Sequence, residues 1–104
     1  MATATQTARL YDRLIDAEQT YAHDNSDGFT NRDWSGAKGY REEGYRLGKE
    51  AHDLPADDRE DFIDDQAAAF PGSAQYLVAV AASYRLAELV ARDNAYSFNA
   101  DMAA

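Results

Sequence analysis

The chain of 104 residues is long enough for one globular domain, and its 45% hydrophobic content is typical of a folded protein. It contains no cysteine, which excludes disulfide frameworks, thiolate zinc sites and cysteine nucleophiles. Its 19 acidic and 10 basic residues give a formal charge of −9, which opposes direct binding to nucleic acid or to an anionic membrane.

The sequence shows no targeting or membrane-spanning pattern. Residues 1–7 lack the basic start and apolar core of a secretory signal. The longest apolar stretch, Tyr76 to Ala82, is too short to cross a bilayer. We therefore expect a cytoplasmic protein without a membrane partner.

Apolar residues recur at helical spacing in the first part of the chain and predict a helix over about residues 5–24. Leu10, Leu14, Ala17 and Tyr21 follow one another at intervals of three or four residues and form one apolar face. Residues 24–28 are turn formers and should end this helix.

A second helix is predicted over residues 32–53, with Thr30 or Asn31 as its N-cap. It carries four glycines, Gly36, Gly39, Gly44 and Gly48. Each glycine inside a helix costs about 1 kcal/mol relative to alanine, so packing must hold this helix together. Gly36 and Gly44 share a side with Leu47, which would let another helix approach closely. Alternatively, residues 35–39 form a loop and the helix begins at Tyr40.

Two more helices are predicted after the break at Leu54-Pro55-Ala56. Asp57 followed by Glu60 has the spacing of a capping box, and the third helix should cover residues 58–69. The fourth, over residues 74–94, is apolar on nearly all sides and belongs in the middle of a bundle, followed by a frayed end at residues 95–104. The pattern predicts an all-α fold, a compact bundle of about four helices in one domain, residues 1–104.

The negative charge is concentrated in residues 53–65, which hold seven acids and one base. On a helix, Asp57, Asp61, Asp64 and Asp65 share one face, with Asp58 at its edge. A sparser row on the first helix consists of Asp12, Asp16 and Asp24, of which Asp12 and Asp16 could extend the first set. Carboxylates four residues apart lie about 5–6 Å from each other at Cβ, close to the spacing of phosphates along a nucleic-acid strand. The row is either a solvated face favoured by a helix N-terminus or a patch that binds a basic partner. A divalent-cation site is disfavoured because the acids follow a rod.

A second surface combines aromatic and basic residues along the second helix. Its members recur every three or four residues: Trp34, Lys38, Arg41, Tyr45, Lys49 and His52. They could bind an acidic partner or stack on bases. The alternative is structural, with Trp34 and Tyr45 in the core and the cations neutralising the acidic helix. We favour the structural interpretation because the net charge opposes nucleic acid.

No motif in the sequence defines a catalytic, metal or cofactor site. Residues 23–28 resemble the start of a calcium loop, but His23 and Trp34 occupy positions that need carboxylates. Gly36 and Gly39 match a phosphate-contacting pattern without the strands that it requires. The spacing of His23 and His52 is not that of metal ligands, and it does not identify a serine that either could activate for hydrolysis. We therefore expect no enzyme activity, no metal and no cofactor.

Size, fold and charge together predict a non-catalytic acidic interaction protein that binds a positively charged partner surface, such as that of a nucleic-acid-binding protein. Small phage and plasmid inhibitors of restriction or CRISPR systems act in this way, and the comparison rests on charge and size alone. Two alternatives stay open. One is a structural or assembly protein that forms a homodimer or larger oligomer through its fourth helix or the glycine face of its second. The other is a halophilic domain whose acids hold water.

Overall fold

Four α-helices and one short 3-10 turn make up the described part of the chain. The computed structural model describes residues 4–26 and 32–103, with side chains described over 5–26 and 32–95. The elements are α1 (Ala4–Asp24), α2 (Trp34–His52), the 3-10 turn (Ala56–Asp58), α3 (Arg59–Ala67) and α4 (Gly72–Ala103). No β-strand occurs among these residues. The prediction of an all-α bundle of about four helices is confirmed.

The start of α2 differs from the prediction. Its N-cap is Asp33, whose Oδ1 accepts a hydrogen bond from the backbone N–H of Gly36 at 2.9 Å. The predicted caps, Thr30 and Asn31, lie outside the described residues. Because Asp33 caps the helix, the prediction of a cap at either of these residues is wrong. The helix is continuous from Trp34, so the alternative of a loop over residues 35–39 is also wrong. Tyr21 stabilises the same carboxylate by donating from its hydroxyl to Asp33 Oδ2 at 3.2 Å.

The predicted capping box at the start of the third helix does not form. Asp57 lies inside the 3-10 turn, which closes through a hydrogen bond from the Asp58 N–H to the Pro55 carbonyl at 2.9 Å. Asp58 precedes α3 without a capping bond from its side chain. The extended backbone of Pro55 followed by a tight turn therefore replaces the expected cap. α3 ends at Ala67, two residues before the predicted end.

α4 lies in the middle of the bundle, as predicted, and contacts the other three α-helices. Leu77, Val78 and Ala81 in its first three turns are fully buried. The helix begins at Gly72, whose φ of +55° suits glycine, and it continues to Ala103. The expected frayed end at 95–104 is thus helical through residue 103, in keeping with a sequence that has no glycine or proline after Gly72. This long helix also explains an elongated molecule of 59 × 24 × 17 Å.

The glycines of α2 allow close contact with α4. A Cβ at Gly44 would lie 2.5 Å from the Cβ of Ala81 and 2.7 Å from the carbonyl oxygen of Val78. A Cβ at Gly48 would lie 2.5 Å from the carbonyl oxygen of Ala82. These distances are below van der Waals contact, so only glycine permits this separation of the two helices. The close approach predicted at Gly44 is therefore made inside the chain by α4, which also meets Gly48, whereas Gly36 lies against Asp33 and Tyr21.

Candidate interaction surface

The acids of residues 57–65 form one exposed surface, which we call the acidic patch. Its members are all solvent-exposed: Asp57, Asp58, Glu60, Asp61, Asp64 and Asp65. The short helix beneath them is anchored by apolar residues on its other side. Ile63 and Ala67 are only 3% and 1% exposed and pack with residues of α2 and α4. Since the apolar residues fix the inner side of α3, the carboxylates are left facing solvent.

No carboxylate of the acidic patch forms an ion pair with a described residue. The base within this segment, Arg59, is engaged elsewhere. Its Nε donates to the Leu54 carbonyl at 3.1 Å, and its guanidinium NH2 donates to the His52 carbonyl at 3.0 Å. Arg59 therefore ties the end of α2 to α3 and leaves the patch without internal neutralisation.

Three arginines of α2 and α4 pair with acids outside the acidic patch. Arg41 donates to both carboxylate oxygens of Glu18 on α1 at 3.1 Å, and this carboxylate is only 12% exposed. The remaining cationic pairs join Arg46 to Glu43 and Glu50, and Arg85 to Glu88. The interpretation in which the basic residues of α2 neutralise the acidic helix is therefore wrong. The bonds of Arg46 also hold the pKa of Glu43 below its usual range.

The aromatic and cationic stripe of α2 is divided by the fold. Tyr45 is half-buried beside Tyr84 of α4, with ring centroids 6.3 Å apart, and burial raises the pKa of both phenols. Trp34 is 50% exposed, so the prediction that it belongs to the core is wrong. Lys38 and Lys49 are exposed and form no ion pair with a described residue. The stripe is thus not one continuous surface, because its exposed members are separated by side chains that make contacts inside the bundle.

Asp12 and Asp16 lie on a different surface from the acidic patch. Both are exposed, and their helical positions place them on the side of α1 opposite the buried Leu14. Arg13 lines the side of α1 that faces α3, where it shares a trough with Arg59. Two bases therefore stand between the aspartates of α1 and those of α3. The fold does not join the two rows into one acidic surface.

One neighbour of the acidic patch was missed by sequence reasoning. Tyr76, which the sequence places within the apolar fourth helix, is 53% exposed. It lines a groove of about 380 Å³ between α3 and α4 together with Asp64 and Gln75. The adjacent polar Gln75 was the available signal that this side of α4 faces solvent.

The two histidines lie in the last turns of two different helices, His23 in α1 and His52 in α2, and they contact different acids. His23 is exposed, with its Nδ1 3.7 Å from Asp24. His52 Nε2 lies 2.5 Å from Asp93 Oδ2 and connects the end of α2 to α4. A contact across 41 residues has no signal in local spacing. Within the described part of the chain, no three side chains of histidine, aspartate or glutamate are grouped to hold a metal ion.

The fold and this surface define an all-α four-helix bundle with an exposed acidic patch. Over the described residues, no helix has the length and apolar character needed to cross a membrane. Comparison with family models, with curated proteins and with solved structures gives no match.

Proposed function

We propose that this protein is a non-catalytic binder of a positively charged surface on a partner protein, and that the acidic patch supplies the contacts. One observation carries the proposal: six exposed carboxylates lie on one short helical segment with no ion pair to a described residue. Glu60 and Asp61 lie in the first turn of α3, where the helix dipole favours acids, but Asp64 and Asp65 lie beyond it. Like charges at helical spacing weaken a helix by about 0.2–0.5 kcal/mol per pair, so helix stability does not account for these last two carboxylates. Contact with a basic surface would relieve this repulsion.

The proposed target is a groove that normally holds nucleic acid. Carboxylates on one face of a helix repeat at about 5–6 Å, a spacing that suits cations placed to contact successive phosphates. The protein would then compete with nucleic acid for the same cations and inhibit its partner. The opposite fields of the two surfaces would make association fast and sensitive to salt. Inhibitors of restriction or CRISPR machinery are one class with this mechanism.

The test is an affinity capture with three baits at low and high salt. The parent protein is compared with Asp61→Asn/Asp64→Asn and with a control of equal net charge, Asp24→Asn/Glu42→Gln, whose substituted residues are exposed on α1 and α2. We expect one basic partner on the parent and the control, lost at high salt and absent from the α3 variant. A nucleic-acid duplex should displace it. Equal capture by all three baits would remove the acidic patch from the interaction.

The same experiment separates the alternatives. Self-association would appear as a larger species of the parent protein alone in sedimentation, at micromolar concentration and independent of the α3 substitutions. The glycine face of α2 is occupied by α4 at Gly44 and Gly48, so such an assembly would have to use another surface. A halophilic domain would unfold at low salt, where self-repulsion is unscreened, and would capture no partner.

A further inference from the structure

An open trough lies on α4 between α1 and α3, beside the acidic patch. Its volume is about 680 Å³. Leu86, Ala87 and Val90 of α4 form its floor, with Leu10 of α1 and Ile63 of α3 on the two walls. Ile63 and Ala87 are 3% and 8% exposed, whereas the other three are half-buried. The trough therefore offers apolar surface that the chain covers only in part.

The trough exists because the helices differ in length. α3 has nine residues and α4 has 32, so α3 covers only a short part of the central helix. α1 packs on α4 and α2, and α3 packs on α2 and α4, while the trough separates α1 from α3. One side of the bundle is thus left open along α4.

We propose that this trough receives an amphipathic, basic α-helix of the partner, an inference that rests on the proposed function. The part of α4 that lines the trough runs from Ser83 to Val90, seven steps of 1.5 Å, or about 10.5 Å. A bound helix presents apolar anchors at positions i, i+3 or i+4, and i+7, which cover the same length. The anchors would bury the exposed parts of Leu86 and Val90.

The charges on the two walls determine the kind of helix. Glu60 and Arg59 both line the α3 wall, and the guanidinium of Arg59 is held by the carbonyls of Leu54 and His52. The six exposed carboxylates of the acidic patch outnumber this one base, so the edge of the bound helix facing α3 should be basic. Arg13 lines the α1 wall and forms no ion pair with a described residue, which favours a neutral or acidic residue at that edge. A second copy of this chain fits poorly, because it would bring a net charge of −9 to the acidic wall.

The probe is a synthetic amphipathic helix of leucine and lysine, compared with an isomer of the same composition whose leucines are spread around the helix. Binding of each labelled peptide is followed by fluorescence anisotropy. The trough variant is Val90→Asp, and the control is Ala95→Asp, which adds the same charge at an exposed position about 140° around α4. Leu10→Asp is a second trough variant on another helix, and far-UV circular dichroism checks that each variant is folded.

Simple charge attraction and docking in the trough predict opposite changes in peptide affinity for the trough variants. An added aspartate attracts a basic peptide, so charge alone makes Val90→Asp bind as tightly as the parent or more tightly. If the peptide docks in the trough, the buried charge of Val90→Asp weakens binding of the amphipathic peptide on the order of ten-fold. The control Ala95→Asp should bind this peptide at least as tightly as the parent does. The isomer should bind weakly and should not distinguish Val90→Asp from Ala95→Asp. Equal or tighter binding of the amphipathic peptide to folded Val90→Asp and Leu10→Asp would overturn the inference.

The Asp61→Asn/Asp64→Asn variant keeps this result separate from the proposed function. If the acidic patch binds basic surfaces, this variant weakens both peptides, and the loss is greatest at low salt. If it weakens neither peptide, the proposed function fails. If it weakens both while the trough variants change nothing, the proposed function stands and the trough is not the docking site.

Discussion

The contact between α2 and α4 can be tested by two identical substitutions in one helix. Gly44→Ala places a Cβ 2.5 Å from the Cβ of Ala81, whereas Gly39→Ala places one where no atom lies within 4 Å. Both replacements gain about 1 kcal/mol of helix propensity. At Gly44 the carbon atoms need about 3.5–4.0 Å, so α2 and α4 must separate by about 1 Å.

Such overpacking costs about 1–3 kcal/mol, and α2 with α4 is the most extensive contact between helices in the bundle. We therefore expect Gly44→Ala to lose up to about 2 kcal/mol of unfolding free energy after the propensity gain. Gly39→Ala should gain about 0.5–1 kcal/mol. At about 4–8 °C per kcal/mol for a chain of this size, the Tm values should move in opposite directions, as measured by circular dichroism at 222 nm. A rise in Tm for both variants would refute the described separation of the two helices.

Three further predictions concern charge and hydrogen bonding. Burial raises the pKa of Tyr45 and Tyr84 above the ordinary value of about 10, so their contribution to stability is complete below that value and is lost as pH rises through the raised values. Urea unfolding at rising alkaline pH should show this loss, and Tyr45→Phe should flatten the decline; an equally steep decline in that variant would contradict the burial of this phenol. Arg59→Ala removes the hydrogen bonds to the carbonyls of His52 and Leu54 and should lower the free energy of unfolding by about 1–3 kcal/mol, measured by urea unfolding. It should not weaken capture of the basic partner. An unchanged urea midpoint would contradict the role of this side chain in joining α2 to α3. Asp64→Asn/Asp65→Asn changes two exposed acids beyond the first turn of α3 and should raise the Tm slightly, more at low salt than at high salt, because it removes unpaired like charges; a lower Tm at low salt would indicate that these carboxylates have stabilising partners.

Much of the fold follows from local sequence pattern. The spacing of Leu10, Leu14 and Tyr21 defines the buried face of α1, and the continuous apolar character of the fourth helix places it centrally. Gly36 and Gly44, on one side of the second helix, predict a close helix contact, and α4 supplies it at Gly44 and at Gly48, which the prediction did not include. Each of these signals depends on residues within a few turns of one helix, where periodicity determines which side is buried.

The errors occur where a contact joins distant parts of the chain or where several caps compete. Asp33 caps α2 because its carboxylate reaches Gly36 and accepts from Tyr21, and nothing in local spacing ranks it above Asn31. The pairing of Arg41 with Glu18 crosses 23 residues. Sequence spacing could not show that this cation is engaged on α1 and not by the acids of α3.

For the candidate surface, the sequence shows where the acids lie, but it does not show whether basic residues of the same chain pair with them. Exposure of Asp61 and Asp64 follows from the burial of Ile63 and Ala67 on the same short helix. The trough was not predicted, because it depends on how α1 and the short α3 are placed on α4. Its floor residues Leu86 and Val90 look like ordinary core positions in an apolar helix.

The most direct measurement is the affinity of the captured partner for the three baits across a salt series. The partner's affinity for the parent protein and for Asp24→Asn/Glu42→Gln should fall steeply and in parallel as the salt concentration rises, because both baits keep the exposed carboxylates of α3. Asp61→Asn/Asp64→Asn should bind more weakly at low salt and show a shallower slope. Three coincident curves would mean that these carboxylates do not contact the partner.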